Sequence, residues 1–345
     1  MNFLMVLMSG EVCEFKKTLK SLLSLFYSII KGDKMNFDVV CFGSAVVDIF
    51  VDTDVAERMG QEGKRVMSYP VGSKILLNNL RFDIGGGGTN SAVAFSRLGF
   101  KTGYIGKIGN DNHGNEILEM LKEEKIKFLG KVAKKQLSGY SIILDSKQHN
   151  RTILTYKAVN NELDIKDVPL RKIKTKWLYL SSMIEKSFET QKKITETLQS
   201  KGAKIAFNPS EYLIKKENII PILGLCDILV LNKEEAGLLT DESDLLKGLY
   251  KLGPNIVVIT DGNNPVTAYD GEKKYTFKPQ KNDVVETTGA GDAFASGFVA
   301  GQILGKSISQ SLNLGYKESQ SVLRYFGAKN NLLKKDLKRF WKSKV

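Results

Sequence analysis

The sequence predicts an α/β fold in which a mostly parallel sheet is covered by helices on both faces. Apolar stretches typical of buried strands alternate with helical stretches, as in CDILVLNKEEAGLLT (226–240). Polar residues follow the ends of several strands, where ligands bind in such folds. The 345 residues, 42% of them hydrophobic, are enough to bury a large core.

The predicted elements follow one another in a regular order. In the first half we expect, over 37–52, a buried strand with Gly-Ser at its end and then more extended chain. A helix at 89–99, a strand at 102–109, a helix at 114–125, and a strand at 176–183 with a helix to about 201 follow. In the second half we expect a strand at 203–210, a strand and then a helix over 226–240, and a strand at 254–262. A hairpin at 266–277 with an Asp-Gly turn and helices from 291 to the end complete the prediction.

Two extended stretches do not fit this alternation. Apolar residues alternate or stand singly from about 48 to 84, and a hairpin is predicted at about 137–160. We expect these two segments to form a small separate sheet, such as a lid over a binding site.

The first 34 residues differ from the rest of the chain. Their apolar runs, MNFLMVLM and LLSLFYSII, are too short to span a bilayer, and no basic residue precedes the first. Met35 opens a second MNF sequence that runs directly into a strand. We expect residues 1–34 to be an extension created by a misassigned start, and residues 35–345 to form one cytoplasmic domain.

The net charge of +13 raises the question of a nucleic-acid partner. The lysines are scattered in pairs, outnumber the arginines, and form no basic cluster interleaved with aromatic residues. This pattern favours a lysine-rich surface that binds neither nucleic acid nor membrane.

Cysteine and histidine usage narrows the chemistry. The three cysteines, Cys13, Cys41 and Cys226, are far apart and suggest neither a disulfide framework nor a zinc site. With only His113 and His149, a histidine-based triad or metal cluster is excluded. Any general base is therefore an Asp, Glu or Lys.

The stretch ETTGAGDAFASGFVAG (286–301) is the most informative one. Gly289, Ala290 and Gly291 stand directly before Asp292 and an apolar helical run. Small residues let a backbone approach a ligand closely, and a helix N-terminus attracts anions. Asp292 is then either a helix N-cap or a base beside a transferring phosphoryl group, and the flanking small residues favour the base.

Two glycine-containing stretches resemble nucleotide-binding loops without matching them. GGGGTNSAVAFSRLG (85–99) lacks the G-x-G-x-x-G spacing, because positions 90 and 91 are Asn and Ser. It is either a turn before a helix or a place where a hydroxyl-rich ligand meets bare backbone and Asn90. GKS (305–307) lacks the first glycine of a P-loop, since position 300 is Ala.

The motif NKEE (232–235) follows a predicted strand. Asn232 and Glu235 are spaced to support a magnesium-water cluster beside phosphates. A helix N-cap followed by acidic first-turn residues accounts for the same letters. Both interpretations stay open on these residues alone.

Taken together, these motifs resemble the PfkB family of carbohydrate kinases, the ribokinase-like group, over about 36–330. GGGGTNSAVAFSRLG matches the family's first signature, TTGAGDAFASGF (287–298) its second, and N-x-x-E falls between them. The resemblance implies a three-layer α/β/α sandwich with a mostly parallel central sheet and a small β lid. It implies ATP and Mg²⁺ as cofactors and leaves a monovalent cation open.

The resemblance also implies roles for individual residues. Asp292 is the implied catalytic base, with the amides of Gly289, Ala290 and Gly291 as the anion hole. Further implied contacts are with the substrate (Asp48, Gly86, Gly87, Asn90), the nucleotide (Asn208, Thr260, Gly262, Asn232, Glu235) and Mg²⁺ through water (Asn232, Glu235).

Some positions depart from the family pattern. Val46 stands where ribokinase-like members often have Asn, which weakens a ribose assignment. Gly87 replaces a frequent Lys, and Arg151 in the predicted hairpin is our candidate for the missing charge. Glu286 replaces the usual Asp and puts potassium activation in doubt. Pro265 replaces a common Gly near the implied adenine loop.

The predicted function is transfer of the γ-phosphoryl group of ATP to a sugar hydroxyl. A nucleoside kinase of the adenosine type is the alternative enzyme, and Met183 mildly favours it because some sugar kinases have a polar contact there. A non-catalytic sugar-binding relative is the alternative of another class. We expect a small sugar or nucleoside as the partner and leave open whether the chain forms a homodimer.

Overall fold

A computed structural model of the protein describes residues 34–53, 55–60, 63–147, 151–280, 288–325 and 327–334. Most of the predicted N-terminal extension, together with Cys13, His149 and Glu286, therefore lies outside the described residues. None of the described helices has the length and apolar character needed to cross a membrane.

Seventeen strands occur in the described residues. They are β1 (Met35–Phe42), β2 (Val46–Asp52), β3 (Arg58–Met59), β4 (Arg65–Val66), β5 (Asn79–Gly85), β6 (Thr102–Ile105), β7 (Lys107–Gly109), β8 (Lys127–Phe128), β9 (Lys131–Ala133), β10 (Gly139–Asp145), β11 (Arg151–Tyr156), β12 (Ile173–Ser181), β13 (Lys204–Asn208), β14 (Ile228–Asn232), β15 (Ile256–Thr260), β16 (Val266–Tyr269) and β17 (Lys274–Phe277).

Nine α-helices and two 3₁₀ helices occur in the same residues. They are α1 (Gly87–Arg97), α2 (Asn112–Glu123), α3 (Glu185–Gln199), α4 (Glu211–Lys216), α5 (Ile220–Leu223), α6 (Lys233–Gly237), α7 (Leu245–Lys251), α8 (Ala290–Ile303), α9 (Ile308–Leu323), and the 3₁₀ helices Ala158–Asn161 and Ile165–Asp167.

The central sheet has nine strands in the order β17-β16-β15-β14-β13-β12-β1-β6-β8. Neighbours from β15 to β8 run parallel, and the last two strands, β16 and β17, add antiparallel pairs at one edge. The predicted mostly parallel sheet is therefore confirmed.

Each face of this sheet carries its own core. Successive strand residues point to opposite faces, so Trp177 and Tyr179 of β12 pack with α1, α8 and α9, whereas Leu178 and Leu180 pack with α3 and α5. Residues of β1 alternate in the same way. The result is the predicted three-layer arrangement of helices, sheet and helices.

A second sheet of four strands, in the order β11-β10-β2-β5, stands apart from the central one. Strand β2 pairs in parallel with β10 and antiparallel with β5. These strands come from the two extended stretches that do not fit the strand–helix alternation. Since β1 leads into β2 through Gly43–Ala45, the end of a central strand joins this sheet directly.

The stretch 102–109, predicted as one strand, forms two. Strand β6 stays in the central sheet, whereas β7 leaves it and pairs with β9. Gly106 lies at the break, and a Cβ there would come within 2.0 Å of the Tyr104 hydroxyl oxygen. That hydroxyl donates to the Gly43 carbonyl oxygen at 2.9 Å, so the ring stands against the chain where it changes direction.

Asn160 connects the first 3₁₀ helix to the junction between the two sheets. Its Oδ1 accepts from the Ala45 N–H at 2.9 Å, and its Nδ2 donates to the Ala45 carbonyl oxygen at 2.9 Å and to that of Lys157 at 3.0 Å. The side chain is 1% exposed. Because buried backbone groups need partners, this amide fixes where β2 leaves the central sheet.

We predict that Asn160→Ala lowers the free energy of unfolding by about 2–4 kcal/mol, because it leaves both polar groups of Ala45 buried without these bonds. Urea unfolding followed by circular dichroism measures the change. The partly exposed neighbour Asn161 supplies the control, and Asn161→Ala should change stability by less than about 0.5 kcal/mol. Equal losses in the two variants would contradict the connecting role.

Candidate active site

A cavity of about 600 Å³ opens at the carboxyl ends of the central strands. All but two of the site residues predicted from sequence line it. Those that do are Asp48, Gly86, Gly87, Asn90, Asn208, Asn232, Glu235, Thr260, Gly289, Gly291 and Asp292. Ala290 and Gly262 are not among the lining residues. The cavity thus gathers side chains from both sheets, helix α1 and the start of helix α8.

Asp292 is the third residue of helix α8 and is not its N-cap. The N-cap is Gly289, whose left-handed φ of 80° suits glycine, and a Cβ there would come within 2.3 Å of the Ala328 Cβ. The Asp292 carboxylate accepts a hydrogen bond from Asn90 Nδ2 at 2.8 Å. The interpretation of Asp292 as a plain N-cap is therefore wrong, and its carboxylate is directed into the cavity.

The N–H groups of the first turn of α8 lie at the same cavity. The first intrahelical bond in this turn runs from the Ala293 N–H to the Gly289 carbonyl oxygen, which leaves the preceding N–H groups without helical partners. A Cβ on Gly291 would meet no atom within 4 Å, so the cavity is open beside Asp292. The turn can therefore accommodate an anion next to a carboxylate.

The glycine run brings the start of helix α1 against this turn. A Cβ on Gly87 would lie 3.0 Å from the Ser181 side chain and 3.3 Å from Asp292 Oδ1. Gly86 has a φ of 98°, which favours glycine, and Gly88 packs on the backbone of Gly43. A lysine at position 87 would have little room beside Asp292.

Asp48 lies on strand β2 and faces the cavity. It is paired across the sheet with Ser141 on β10 and with Asp83 on β5. A Cβ on Gly85 would come within 1.8 Å of Asp48 Oδ2, so the carboxylate lies flat against bare backbone. Burial raises the pKa of Asp48 to about 6, against the lowering effect of the Lys329 ammonium.

Asn232 and Glu235 form the helix cap that one interpretation of the NKEE motif predicted. Asn232 caps helix α6, its Oδ1 accepts from the Glu235 N–H at 2.8 Å, and Glu235 Oε2 accepts from the Asn232 N–H at 2.8 Å. Both residues also line the cavity. Burial raises the pKa of Glu235, with backbone hydrogen bonds opposing the shift.

Asn208 and Thr260 complete this end of the cavity. Asn208 Nδ2 donates to the Val230 carbonyl oxygen at 2.7 Å, and Thr260 lies at the end of β15 next to Asn232 on β14. The described residues contain no cluster of three or more His, Cys, Asp or Glu side chains suited to binding a metal directly. The side chains at this end of the cavity offer oxygen atoms as acceptors, and oxygen atoms suit a hydrated magnesium ion.

The predictions made for Arg151 and Met183 have different outcomes. Arg151 Nη1 donates to Thr288 Oγ1 at 2.7 Å, which places the guanidinium beside the residue that precedes the Gly289–Asp292 turn. Burial lowers its pKa from the usual value. Met183, in contrast, is 2% exposed in the core around helix α3 and does not line the cavity. Its position therefore gives no support to a nucleoside substrate.

Two lysines of this region were not predicted from the sequence to belong to the site. Lys157, directly after β11, lines the cavity, and its ammonium lies 4.5 Å from the centroid of the Tyr212 ring. Lys329 is only 6% exposed and donates to Asn90 Oδ1 at 2.9 Å. The sequence has 51 lysines and arginines, so neither position stands out in it.

The raised pKa of Asp48 predicts a pH-dependent difference in stability between Asp48→Asn and the wild type. Between pH 3.8 and about 6, the folded protein retains a proton that the unfolded chain releases, so wild-type stability falls as pH rises. The variant does not titrate there. Its free energy of unfolding should gain about 1–3 kcal/mol relative to wild type over this window, and the gain should level off above it.

Urea unfolding at half-unit steps from pH 4 to pH 8 measures this difference. Asp52→Asn, near the other end of the same strand, controls for the loss of one carboxylate from β2. A difference between Asp48→Asn and wild type that stays constant across the whole range would contradict the raised pKa.

Comparisons with known proteins identify relatives of this chain. A family model described as "pfkB family carbohydrate kinase" matches residues 36–335. A ribokinase of Lactococcus lactis is 31% identical over 252 residues, which are 72% of this chain and 82% of the ribokinase.

Among solved structures, adenosine kinase from Sinorhizobium meliloti superposes with a TM-score of 0.73 at 18% identity, over 88% of this chain and 99% of that one. Ribokinase from Arabidopsis thaliana, complexed with ribose and ATP, gives 0.71 at 21% identity, over 90% and 100%. Structural similarity at this identity establishes the ribokinase-like fold alone, whereas the family match goes further. The chain belongs to the pfkB family of carbohydrate kinases, phosphotransferases with an alcohol group as acceptor.

Proposed function

We propose that this protein is an ATP- and magnesium-dependent kinase that phosphorylates a hydroxyl group of a small sugar. The observation that carries the proposal is the shared cavity. Asp292 lines it together with Asp48 and Asn90 from one side and with Asn208 and Thr260 from the other. An acceptor and a nucleotide held by these two groups would meet at the Asp292 carboxylate.

The acceptor side is suited to a ligand with several hydroxyl groups. Asp48 offers two carboxylate oxygens, and the lining residues Ser44 and Ser141 offer hydroxyls that both donate and accept. Bare backbone at Gly86 and Gly87 lets a ring approach closely. With a pKa of about 6, Asp48 is mostly ionised at neutral pH and accepts hydrogen bonds from two hydroxyls.

Asp292 is the proposed general base. Its carboxylate takes the proton of the acceptor hydroxyl as that oxygen forms a bond to the γ-phosphorus, and ADP leaves with the electrons of the broken bond. The hydrogen bond from Asn90 Nδ2 fixes the carboxylate and favours its ionised form. The unpaired N–H groups of Ala290, Gly291 and Asp292 would donate to the phosphoryl oxygens.

The nucleotide is assigned to the side formed by Asn208, Asn232, Glu235 and Thr260, with Gly262 beyond the lining residues. When bound there, Mg²⁺ would neutralise phosphate charge, held through water by Asn232 and Glu235. Their capping box keeps both side chains in place without a ligand.

Two cations are available in place of the lysine that Gly87 replaces. Lys157 lines the cavity, and Arg151 is hydrogen-bonded to Thr288 at the start of the Gly289–Asp292 turn. Arg151 is the first residue of β11, and Lys157 directly follows that strand. We propose that these two side chains balance the charge of the transferring phosphoryl group.

The four-stranded sheet is the proposed lid. It contributes Asp48, Ser141 and Ile153 to the cavity lining, so a change in its angle would alter access to the acceptor side. Closure over a bound sugar would exclude water, which otherwise competes with the acceptor for the phosphoryl group.

A nucleoside acceptor is the second candidate. Val46 and Ile153 give the acceptor side two apolar side chains against which a base could pack. Asp48 would then bind the ribose.

A cytoplasmic location, a homodimer and a bound monovalent cation all stay predictions.

The test is turnover of magnesium-ATP with ribose, fructose, 2-keto-3-deoxygluconate, fructose 6-phosphate, adenosine, cytidine and inosine. ADP formation gives the rate, and mass spectrometry of the product confirms phosphorylation. Sugars should be phosphorylated and nucleosides should not. Asp292→Asn should lose about 10²–10⁴-fold in turnover, because the base is gone, while its affinity for ATP changes less than about threefold.

Asp241→Asn, which removes an exposed carboxylate, is the matched control and should retain wild-type turnover. Activity confined to nucleosides would replace the first candidate with the second. Near-normal turnover in Asp292→Asn would contradict the role of Asp292. Nucleotide binding without transfer to any acceptor would support a non-catalytic relative.

A further inference from the structure

Lys329 is a buried lysine behind the acceptor side of the cavity. It lies in the loop that follows helix α9, and its ammonium donates to Asn90 Oδ1 at 2.9 Å and also to the Ile84 carbonyl oxygen. The loop is packed tightly on both sides. A Cβ on Gly327, which has a φ of 89°, would come within 1.9 Å of Asp83 Oδ2, and Ala328 contacts the turn at Gly289.

Helix α1 holds Lys329 at two points. Asn90 bonds its ammonium, and Arg97, two turns further along the same face, donates from Nη1 to the Lys329 carbonyl oxygen at 2.5 Å. Glu124 fixes the Arg97 guanidinium through bonds of 2.6–3.1 Å. The backbone and the ammonium of Lys329 are therefore both anchored.

Three carboxylates lie close enough to this ammonium to stabilise its charge. Asp48 and Asp83 are directly opposite on β2 and β5, an arrangement of like charges that is unfavourable by itself, and Asp292 faces them from helix α8. Asp83 Oδ2 is buried, and the described residues offer it no hydrogen bond. Burial lowers the pKa of Lys329, and these three carboxylates oppose that shift. Arg97, which carries the same positive charge, lowers the pKa of Lys329 further.

The ammonium also determines which way the Asn90 amide points. An ammonium group donates only, so the amide oxygen has to face Lys329 and the amide nitrogen has to face Asp292. In that orientation Nδ2 donates to the ionised carboxylate at 2.8 Å. The opposite orientation would direct an oxygen at Asp292 and would favour its protonated form.

We infer that Lys329 is a positioning residue for phosphoryl transfer, which fixes the Asn90 amide toward Asp292 and balances the carboxylates of Asp48, Asp83 and Asp292. The inference rests on the proposed function in assigning the proton transfer to Asp292. Lys329 does not line the cavity, so it acts through Asn90 and through its charge.

Lys329→Met tests this inference, because it keeps much of the side-chain length and removes the charge and the donors. The Lys329 charge lowers the pKa of both Asp292 and Asp48, so its removal should raise both. The acid limb of the kcat/KM profile should move up by about one pH unit or more. The loss of kcat/KM should therefore be largest at low pH and should shrink as the pH rises toward 9.

Lys329→Gln retains donors without the charge and should lose less activity than Lys329→Met at every pH. Lys334→Met, which removes an exposed lysine from the same loop, should leave the profile unchanged. A uniform loss of activity with an unmoved acid limb would overturn the inference. So would failure of both Lys329 variants to fold, judged by circular dichroism, since the role would then be structural.

A readout independent of turnover separates this inference from the proposed function. Carbon-13 NMR of labelled aspartate carboxyls, with the Asp48 signal assigned by Asp48→Asn, gives the pKa of Asp48 in wild type and in Lys329→Met. A higher pKa in Lys329→Met supports the inference even if no acceptor is ever phosphorylated. An unchanged pKa overturns it even if the sugar kinase activity is confirmed.

Discussion

The hydrogen bond between Asn90 and Asp292 is the contact on which the site depends. It joins the first helix of the domain to the helix that begins 200 residues later, at 2.8 Å. Asp292 is half-buried in the cavity wall, and burial raises its pKa, so the carboxylate needs a donor that favours the ionised form. Asn90 supplies that donor, and Lys329 holds Asn90.

The glycines follow from the same close approach. Helices α1 and α8 can bring Asn90 and Asp292 together because Gly87 lies against Asp292, where a Cβ would be 3.3 Å from Oδ1. Gly289 at the start of α8 lies against Ala328 in the loop after α9, where a Cβ would be 2.3 Å from the Ala328 Cβ. The motifs GGGG and GAG are therefore packing requirements as well as ligand contacts. A carboxylate, open backbone N–H groups and an open cavity result from one arrangement of backbones.

Much of this could be predicted from the sequence, because the signals are local. The alternation of strands and helices predicted the central sheet. The two signatures predicted roles for Asn90 and Asp292, the sequence GSAVVD predicted one for Asp48, and all three line the cavity. Gly106 shows the limit of this approach: 102–109 has the composition of one strand, and only the Tyr104 ring in the folded chain explains the break.

Charge compensation could not be predicted in the same way. The contact between Lys329 and Asn90 spans 239 residues, and a lysine in a lysine-rich chain gives no local signal. Arg151 was a candidate because it lies in a hairpin expected near the site, whereas Lys157 follows the same hairpin without a motif. At Asn232 and Glu235 the two interpretations of the sequence were not exclusive, because the residues that cap the helix also line the cavity.

The most direct test of the account is a crystal structure of the protein with magnesium, a non-hydrolysable ATP analogue and the sugar that it phosphorylates. The account predicts one sugar hydroxyl within hydrogen-bond distance of Asp292, other hydroxyls on Asp48 and Asn90, and the γ-phosphate at the N–H groups of the Gly289–Asp292 turn. A sugar bound away from Asp48, or a γ-phosphate remote from that turn, would contradict it.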